Sequence, residues 1–158
     1  MSIPNIPEWL QVFIVSMVPI SELRGAIPLG LLNGMQWWEV YIIAVIGNIL
    51  PVPFILKLLH PVEKFLRKWK KWDAFFSWLF EHTRKRTEER IKKLESIGLI
   101  LFVATPLPVT GAWTGSLAAY LFNLDFKRSL VCIVIGVLIA GVIVTTAVLA
   151  GIQIFFSV

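Results

Sequence analysis

Charged side chains are scarce in this sequence, and long stretches have none. They make up 16% of the 158 residues, against about 25% in an ordinary soluble domain. Apolar residues make up 57% before glycine is counted, and no charge occurs in 40–56, 96–124 or 129–158. Such stretches are typical of segments that cross a membrane and exclude an ordinary soluble enzyme. We therefore expect an all-α, multi-pass protein of the cytoplasmic membrane with a single domain, 1–158.

Cysteine and histidine are too few for most metal and redox chemistry. The single cysteine, Cys132, lies inside an apolar run, so an internal disulfide is excluded. The two histidines, His60 and His82, have no second histidine at the spacing that helical metal ligands need. We expect no metal, no cofactor and no enzymatic activity.

Basic residues are rare outside one linker. Residues 57–93 hold 12 of the 15 lysines and arginines but 5 of the 10 acidic residues. Such a cluster between apolar segments is typical of the positive-inside bias, which favours a cytoplasmic linker over nucleic acid binding. Apolar residues recur at helical spacing between positions 62 and 80. We expect residues 60–95 to form a basic amphipathic helix on the cytoplasmic surface.

The apolar segments on both sides of this linker follow one plan, a broken segment and then an unbroken one. In the first half, arms 9–20 and 26–38 flank the polar residues SELRG, and a span over 39–59 follows. In the second half, arms 97–109 and 112–124 meet at TGAWTG, and a span over 129–156 follows. Each arm reaches about 20 Å, which is short of the roughly 30 Å hydrocarbon core. Pro51 and Pro53 are expected to kink the first span.

The two halves also share local motifs, since Pro19 with Gly25-Ala26 matches Pro106 with Gly111-Ala112. If each broken segment re-enters on its own side, 14 of the 15 basic residues share one face, whereas full crossing puts 127–128 opposite the linker. We therefore predict two re-entrant hairpins, 9–38 and 97–124, each followed by a transmembrane helix. The repeats 1–59 and 96–158 are then inverted, and their tips meet near the bilayer midplane.

Glu22 and Arg24 lie deepest within an apolar segment. A charge at the bilayer centre costs about 2.5–3.5 kcal/mol on insertion scales, so both side chains must face protein or water. Residues two positions apart point to nearly opposite sides of a helix but face one cavity in extended backbone. This spacing predicts an unwound hairpin tip. The alternative is a buried network that stabilises the fold without a part in transport.

The hairpin tips carry the features of an anion-binding site. The second arm of each hairpin begins at its tip, so its free N–H groups point into the membrane. Pro28 suits the first turn of one arm, and Thr110 with Gly111 suits the cap of the other. These helix starts and the forked Arg24 guanidinium suit a phosphate group. Glu22 suits the role of a protonatable group that couples transport to a proton gradient.

SELRGAIPLG at 21–30, together with PLPVTGAWTGS at 106–116, resembles the small multidrug export protein family, a distant relative of the DedA/VTT membrane proteins. The resemblance covers essentially the whole chain and implies proton-dependent transport of a polyprenyl phosphate. Where DedA proteins carry an arginine in the second hairpin, this chain has the uncharged TGAWTG. By this resemblance the motif positions are Glu22, Arg24, Gly25, Pro28, Pro106, Thr110, Gly111 and Gly115.

We expect a transporter that moves an anionic lipid-linked substrate, such as a polyprenyl phosphate, across the membrane. Glu22 is the expected proton-coupling residue. One alternative is a small multidrug exporter of amphiphilic compounds. The Glu22–Arg24 pair has no net charge, which argues against cationic compounds as its substrates. The other alternative is a non-transporting scaffold. The expected substrate-binding residues are Arg24, Gly25, Pro28, Thr110, Gly111, Thr114 and Gly115.

The expected partners are membrane lipids, the anionic or amphiphilic substrate and protons, with no nucleic acid. Two full spans give little scaffold to enclose two hairpins, so we also expect a homodimer. Small residues on one helix face permit close packing. The last span carries them at Gly136, Ala140, Gly141 and Ala147.

Overall fold

The computed structural model describes residues 6–66, 89–107 and 110–156, and within these ranges every regular element is an α-helix, with no strand. The predicted helical fold is therefore confirmed for this part of the chain. The helices are α1 (Glu8–Met17), α2 (Glu22–Leu32), α3 (Trp37–Ile49), α4 (Val52–Leu66), α5 (Glu89–Ala104), α6 (Ala112–Leu121) and α7 (Phe126–Phe156).

Two stretches are long and apolar enough to cross a membrane. Trp37–Leu59 has a mean hydropathy of 2.2 and runs through α3 into α4, and Phe126–Gln153 has 2.8 and lies in α7. The outward face of α7 is apolar, since Val131 and Val142 are 57% and 53% exposed. An exposed face of this kind suits contact with lipid rather than water. We conclude that the chain is a helical membrane protein with two candidate spans.

The first candidate span is broken at Pro51. The sequence predicted a span over 39–59 with kinks at Pro51 and Pro53. In the structure α3 ends at Ile49 and α4 begins at Val52, so the interruption lies at Pro51, while Pro53 lies in the first turn of α4. Proline has no N–H to donate to the carbonyl of Gly47, so the helical hydrogen bonds are interrupted there. They resume where the Ile55 N–H donates to the Pro51 carbonyl at 2.9 Å.

The short helices have other bounds than the predicted arms. α1 and α5 end at Met17 and Ala104, before Pro19 and Pro106, because the residue before a proline disfavours the helical conformation. α2 begins at position 22 rather than 26. α5 begins at position 89, inside the predicted linker 60–95. The amphipathic face predicted for that linker falls mostly on residues outside the described ranges.

Each half of the chain packs as a group, and each half also contacts the span of the other. α1 lies against α2 and α3, and α5 lies against α6 and α7. Between the halves, α2 packs on α7, α6 packs on α4, and α3 packs on α7. The buried core accordingly joins side chains of both halves, among them Val12, Ile27, Val40, Ile133 and Val137.

The turn that ends α2 recurs at the end of α6. In both turns, two successive N–H groups after the cap donate to carbonyls of the last helical turn, at 3.1 Å and 3.0 Å respectively. This is the Schellman pattern, and its left-handed residue is Gly34 (φ +86°) in one turn and Asn123 (φ +54°) in the other. The two are 89 positions apart. The motifs shared by the two halves of the sequence pair Gly25 with Gly111. The offset of 89 positions between the two turns instead pairs Glu22 with Gly111.

Three of the four small residues named for α7 pack inside the chain, and the fourth, Ala147, is exposed. The sequence suggested them as a face for dimerisation. In the structure a side chain at Gly136 would meet Val103 of α5, and one at Gly141 would meet Tyr41 of α3. Ala140 between them is 7% exposed. This part of the face is therefore filled within one protomer, and the homodimer itself stays a prediction.

We expect Gly136→Ala to lower the free energy of unfolding by about 1–3 kcal/mol, the usual cost of overpacking. The added Cβ would lie 2.6 Å from Val103 Cβ and 3.0 Å from the Ile100 carbonyl oxygen, and a backbone atom cannot turn aside. Gly151→Ala on the same helix is the control, because no atom lies within 4 Å of its Cβ position. Denaturant unfolding in detergent micelles measures the free energy of unfolding of both variants. Equal values for the two variants would contradict the close packing of Gly136 against α5.

Candidate functional site

The two hairpin tips meet where Glu22 lies against the N-terminus of α6. The Glu22 carboxylate accepts a hydrogen bond from the Trp113 N–H at 3.3 Å, and the Ala112 N–H also donates to it. These N–H groups belong to the first turn of α6 and have no partner inside the helix. Because a carboxylate also matches the positive end of the helix dipole, Glu22 caps α6. The residue is 7% exposed, so its hydrogen-bond partners come from the protein and not from bulk solvent.

Glu22 reaches this position from an unusual backbone conformation. Its φ is +44°, which is uncommon for a residue with a side chain. The turn is held by its own N–H, which donates to the Val18 carbonyl at 3.0 Å. Conformations of this kind are often retained at functional sites, where surrounding contacts determine them.

Gly111 makes room for the Glu22 carboxylate. A Cβ at this position would overlap both carboxylate oxygens and the carboxyl carbon of Glu22. The φ of Gly111 is 161°, an extended conformation that any residue adopts. Space rather than backbone freedom therefore requires glycine here.

Arg24 contacts the loop of the second hairpin. Its Nη2 donates to Thr110 Oγ1 at 3.2 Å. The same oxygen accepts from the Leu107 N–H at 3.1 Å and lies within hydrogen-bond distance of the carbonyls of Thr105 and Leu107. A guanidinium has five N–H donors, and among the described residues Thr110 is the one hydrogen-bond partner of Arg24. The other four N–H donors have no hydrogen-bond partner in the part of the chain that the structure describes.

The second hairpin contacts the first in a corresponding way. Trp113 Nε1 donates to the Met17 carbonyl at 3.1 Å, just before the first tip. Trp113 follows Arg24 by the same 89 positions that separate the two turns. Each tip is therefore held by a side chain from the other hairpin.

A small cavity lies behind these contacts. Its volume is about 10 Å³, which is about the space of one water molecule. Its polar lining comes from Glu22, Arg24, Thr110 and Asn48, and its apolar lining includes Val137 of α7. Sequence reasoning missed Asn48; the signal was an amide inside the charge-free run 40–56. The cavity is too small for a lipid head group in this conformation.

The backbone at the first tip differs from the prediction. Glu22 and Arg24 lie in the first turn of α2, not in an unwound segment. On a helix they point to different sides, so Glu22 meets α6 while Arg24 meets Thr110. Pro28 lies inside α2 rather than in its first turn, because the helix begins six residues before it. Gly111 is the N-cap residue of α6, and Thr110 hydrogen-bonds within its own loop instead of capping the helix.

The predicted binding residues therefore fall into two groups. Arg24, Thr110 and Gly111 line the cavity together with Glu22. The remaining four lie outside its lining. Gly25 packs against Ser21 and Gly115 against Val103, and the Thr114 hydroxyl donates to the Gly111 carbonyl at 3.4 Å.

A second, larger concavity lies at the N-terminal ends of α1 and α3. It is a groove of about 590 Å³ lined by Glu8, Trp9, Met35, Trp38, Glu39, Ile42 and Ile43. Its two carboxylates have no ion-pair partner among the described residues. Aromatic faces and carboxylates together attract organic cations. The sequence analysis did not select this groove.

We expect Gly111→Ala to remove the Glu22 cap from α6 and to cost about 1 kcal/mol or more of stability. The cost should shrink in a Glu22→Ala background, because the overlap that the new Cβ creates is with the Glu22 carboxylate. A double-mutant cycle of unfolding free energies measures this coupling. Additive costs in the double variant would show that Glu22 does not occupy the space beside Gly111.

Comparison with known proteins identifies the family of this chain. No curated protein and no solved structure matches the chain. A family model matches residues 22–143, more than three quarters of the chain. The match begins at Glu22 and includes Arg24, Asn48, the second hairpin tip and most of α7. The chain therefore belongs to the family described as "Putative small multi-drug export protein".

Proposed function

We propose that this protein is a proton-coupled membrane transporter for an amphiphilic substrate with an anionic head group. The observation that carries the proposal is the Glu22 carboxylate at the N-terminus of α6, beside Arg24. Helix N-termini and arginine forks are general anion-binding groups. In this conformation an anion of the protein itself occupies them.

Glu22 then acts as an internal substitute for the substrate anion. When Glu22 binds a proton, it loses the charge that matches the helix dipole and no longer competes for the N–H groups of α6. Those groups and the spare donors of Arg24 become available to a phosphate or carboxylate head group. Proton binding and substrate binding are thereby linked, since each removes Glu22 from the same site.

The transport cycle requires the tips to separate. A cavity of about 10 Å³ holds no head group, so this conformation is the closed state between transport events. The contacts that must break are few and polar: Glu22 with α6, Arg24 with Thr110, and Trp113 with the Met17 carbonyl. A ligand shifts such an equilibrium by its preference for the open state.

We further propose that the two halves are inverted repeats with re-entrant hairpins, in the manner of DedA-like proteins. Support comes from the matching turns at Gly34 and Asn123, from the reciprocal packing of α2 on α7 and α6 on α4, and from the reciprocal contacts of the tips. The helices of the hairpins have 10 to 16 residues, whereas a span needs about 20. Polyprenyl phosphates are the substrate class that the DedA resemblance suggests.

Inversion predicts that Gln36 and Asp125 lie on opposite faces of the membrane. They occupy equivalent positions, 89 apart, just before α3 and α7. Single cysteines at these positions in a Cys132→Ser background test this. In intact cells, a membrane-impermeant maleimide should label only one of the two, and the other should react only after the cells are permeabilised. The background protein, which has no cysteine, is the control. Labelling of both positions from the same side would reject re-entrant hairpins. In that case each broken segment crosses the membrane once, and the two repeats have parallel orientations.

Transport should depend on both charged residues in different ways. With labelled polyprenyl phosphate in proteoliposomes, Arg24→Lys keeps the charge but loses the fork, so we expect about a tenfold loss of flux. Glu22→Gln keeps the size but loses the titratable proton, so flux should continue without its dependence on the proton gradient. Glu39→Gln, which lies outside the cavity, should leave this flux unchanged.

The double variant Glu22→Gln, Arg24→Gln separates transport from structure. A purely structural pair predicts that each single change is strongly destabilising and that the double variant regains stability. We expect instead a folded double variant without flux of the anionic lipid. Full flux in a stable double variant would reject the site.

A second candidate function is export of amphiphilic cations, which the groove at Glu8 and Glu39 favours. Two carboxylates beside Trp9 and Trp38 suit an ammonium group with an apolar tail. Flux of a quaternary ammonium dye that is abolished by Glu8→Gln with Glu39→Gln, and unaffected by Arg24→Lys, would favour this candidate over the first.

A further inference from the structure

Asn48 carries a buried polar atom that has no partner among the described residues. The residue lies near the end of α3 and is 1% exposed, and no group of residues 6–66, 89–107 or 110–156 donates a hydrogen bond to its Oδ1. Leaving such an acceptor unsatisfied costs about 1–3 kcal/mol, so buried amides are usually hydrogen-bonded. Asn48 faces the same small cavity as Glu22 and Arg24. The amide oxygen therefore needs a donor from within this cavity.

The cavity contains few groups that can supply that donor. Glu22 and Arg24 are its ionisable lining residues, and the lining residues of α3, α5, α6 and α7 add no titratable side chain. Arg24 donates to Thr110 Oγ1, and none of its N–H groups reaches Asn48 Oδ1 in this conformation. Ionised Glu22 is an acceptor and cannot donate, but a protonated carboxyl group has one O–H donor. Protonated Glu22 is thus the matching partner for Asn48 Oδ1.

We infer that Asn48 is the hydrogen-bond acceptor for the protonated form of Glu22, directly or through the one water molecule that the cavity can hold. Ionised Glu22 accepts from the N–H groups of α6, and protonated Glu22 donates to Asn48. The carboxyl group then has one partner in each protonation state. The role that this inference gives to Asn48 in the transport cycle rests on the proposed function.

The geometry gives Asn48 an advantage over other acceptors. Its amide is uncharged, so it adds no negative charge beside ionised Glu22. At 1% exposure, neither bulk water nor lipid can take its place. The equivalent position in the second half, 89 residues on, is Val137, which also lines the cavity and offers no acceptor. Of these two equivalent positions, only the one in the first half carries an acceptor, and Thr110 Oγ1, which also lines the cavity, already accepts from Arg24 and from the Leu107 N–H.

Infrared difference spectroscopy of the full protein in lipid bilayers tests the pair. Lowering the pH produces the carbonyl band of protonated carboxylic acids, and Glu22→Gln identifies the band that belongs to Glu22. A hydrogen bond donated by the acid lowers the wavenumber of this band. We expect Asn48→Val to shift the Glu22 band to higher wavenumber, and Asn48→Thr, which keeps an oxygen, to shift it less.

Thr145→Val is the matched control. Thr145 Oγ1 is also buried and without a partner, at 4% exposure, but it lies outside the lining of the cavity. Its replacement should leave the Glu22 band in place. Removing an unsatisfied acceptor does not harm folding in itself, and the Glu22 band reports on the site in each variant.

An unchanged band in Asn48→Val would overturn the inference, and so would the absence of any Glu22 acid band down to the acid limit of the folded protein. Proteoliposome flux separates this from the proposed function. A band shift in a protein without proton-coupled flux supports the pair and rejects the transport proposal. Proton-coupled flux with an unchanged band rejects the pair alone.

Discussion

The contact between the Glu22 carboxylate and the N-terminus of α6 is the constraint on which the rest of the structure depends. A buried carboxylate needs hydrogen-bond donors, and a helix that begins inside the protein needs acceptors for its first N–H groups. Each half of the chain supplies what the other lacks. The positive φ of Glu22 and the missing side chain at Gly111 are both consequences of this contact. The Glu22 carboxylate, which is costly to bury, thus joins the two hairpins.

The two halves share a backbone plan but not a chemistry. Glu22, Arg24 and Asn48 all belong to the first half, and the positions 89 residues later hold Gly111, Trp113 and Val137. Like charges close together in a cavity that excludes water repel strongly, so a second carboxylate beside Glu22 would be costly. One half therefore carries the titratable groups and the amide, while the other supplies the Thr110 hydroxyl, a helix start and the room for them.

The proposed function gives this closed arrangement a basis for selectivity. In that proposal the protein's own carboxylate occupies the N-terminus of α6 until a competing anion or a proton displaces it. A substrate then has to replace the contacts that it breaks, which favours ligands with an anionic head group of similar geometry. The groove at Glu8 and Glu39 has the opposite charge preference and lies at another part of the fold.

The sequence by itself determined the class of protein and the residues that needed an explanation. Charge-free runs indicate membrane helices because burial in lipid depends on local composition, and Glu22 with Arg24 stood out because charges in apolar segments are costly. The tertiary structure alone decided their partners, since Glu22 meets Trp113, 91 positions away, and Arg24 meets Thr110. It also decided that α2 begins at Glu22 and that Asn48 reaches the cavity. Periodicity and spacing report on neighbours along a helix, whereas these contacts depend on how two halves of the chain pack.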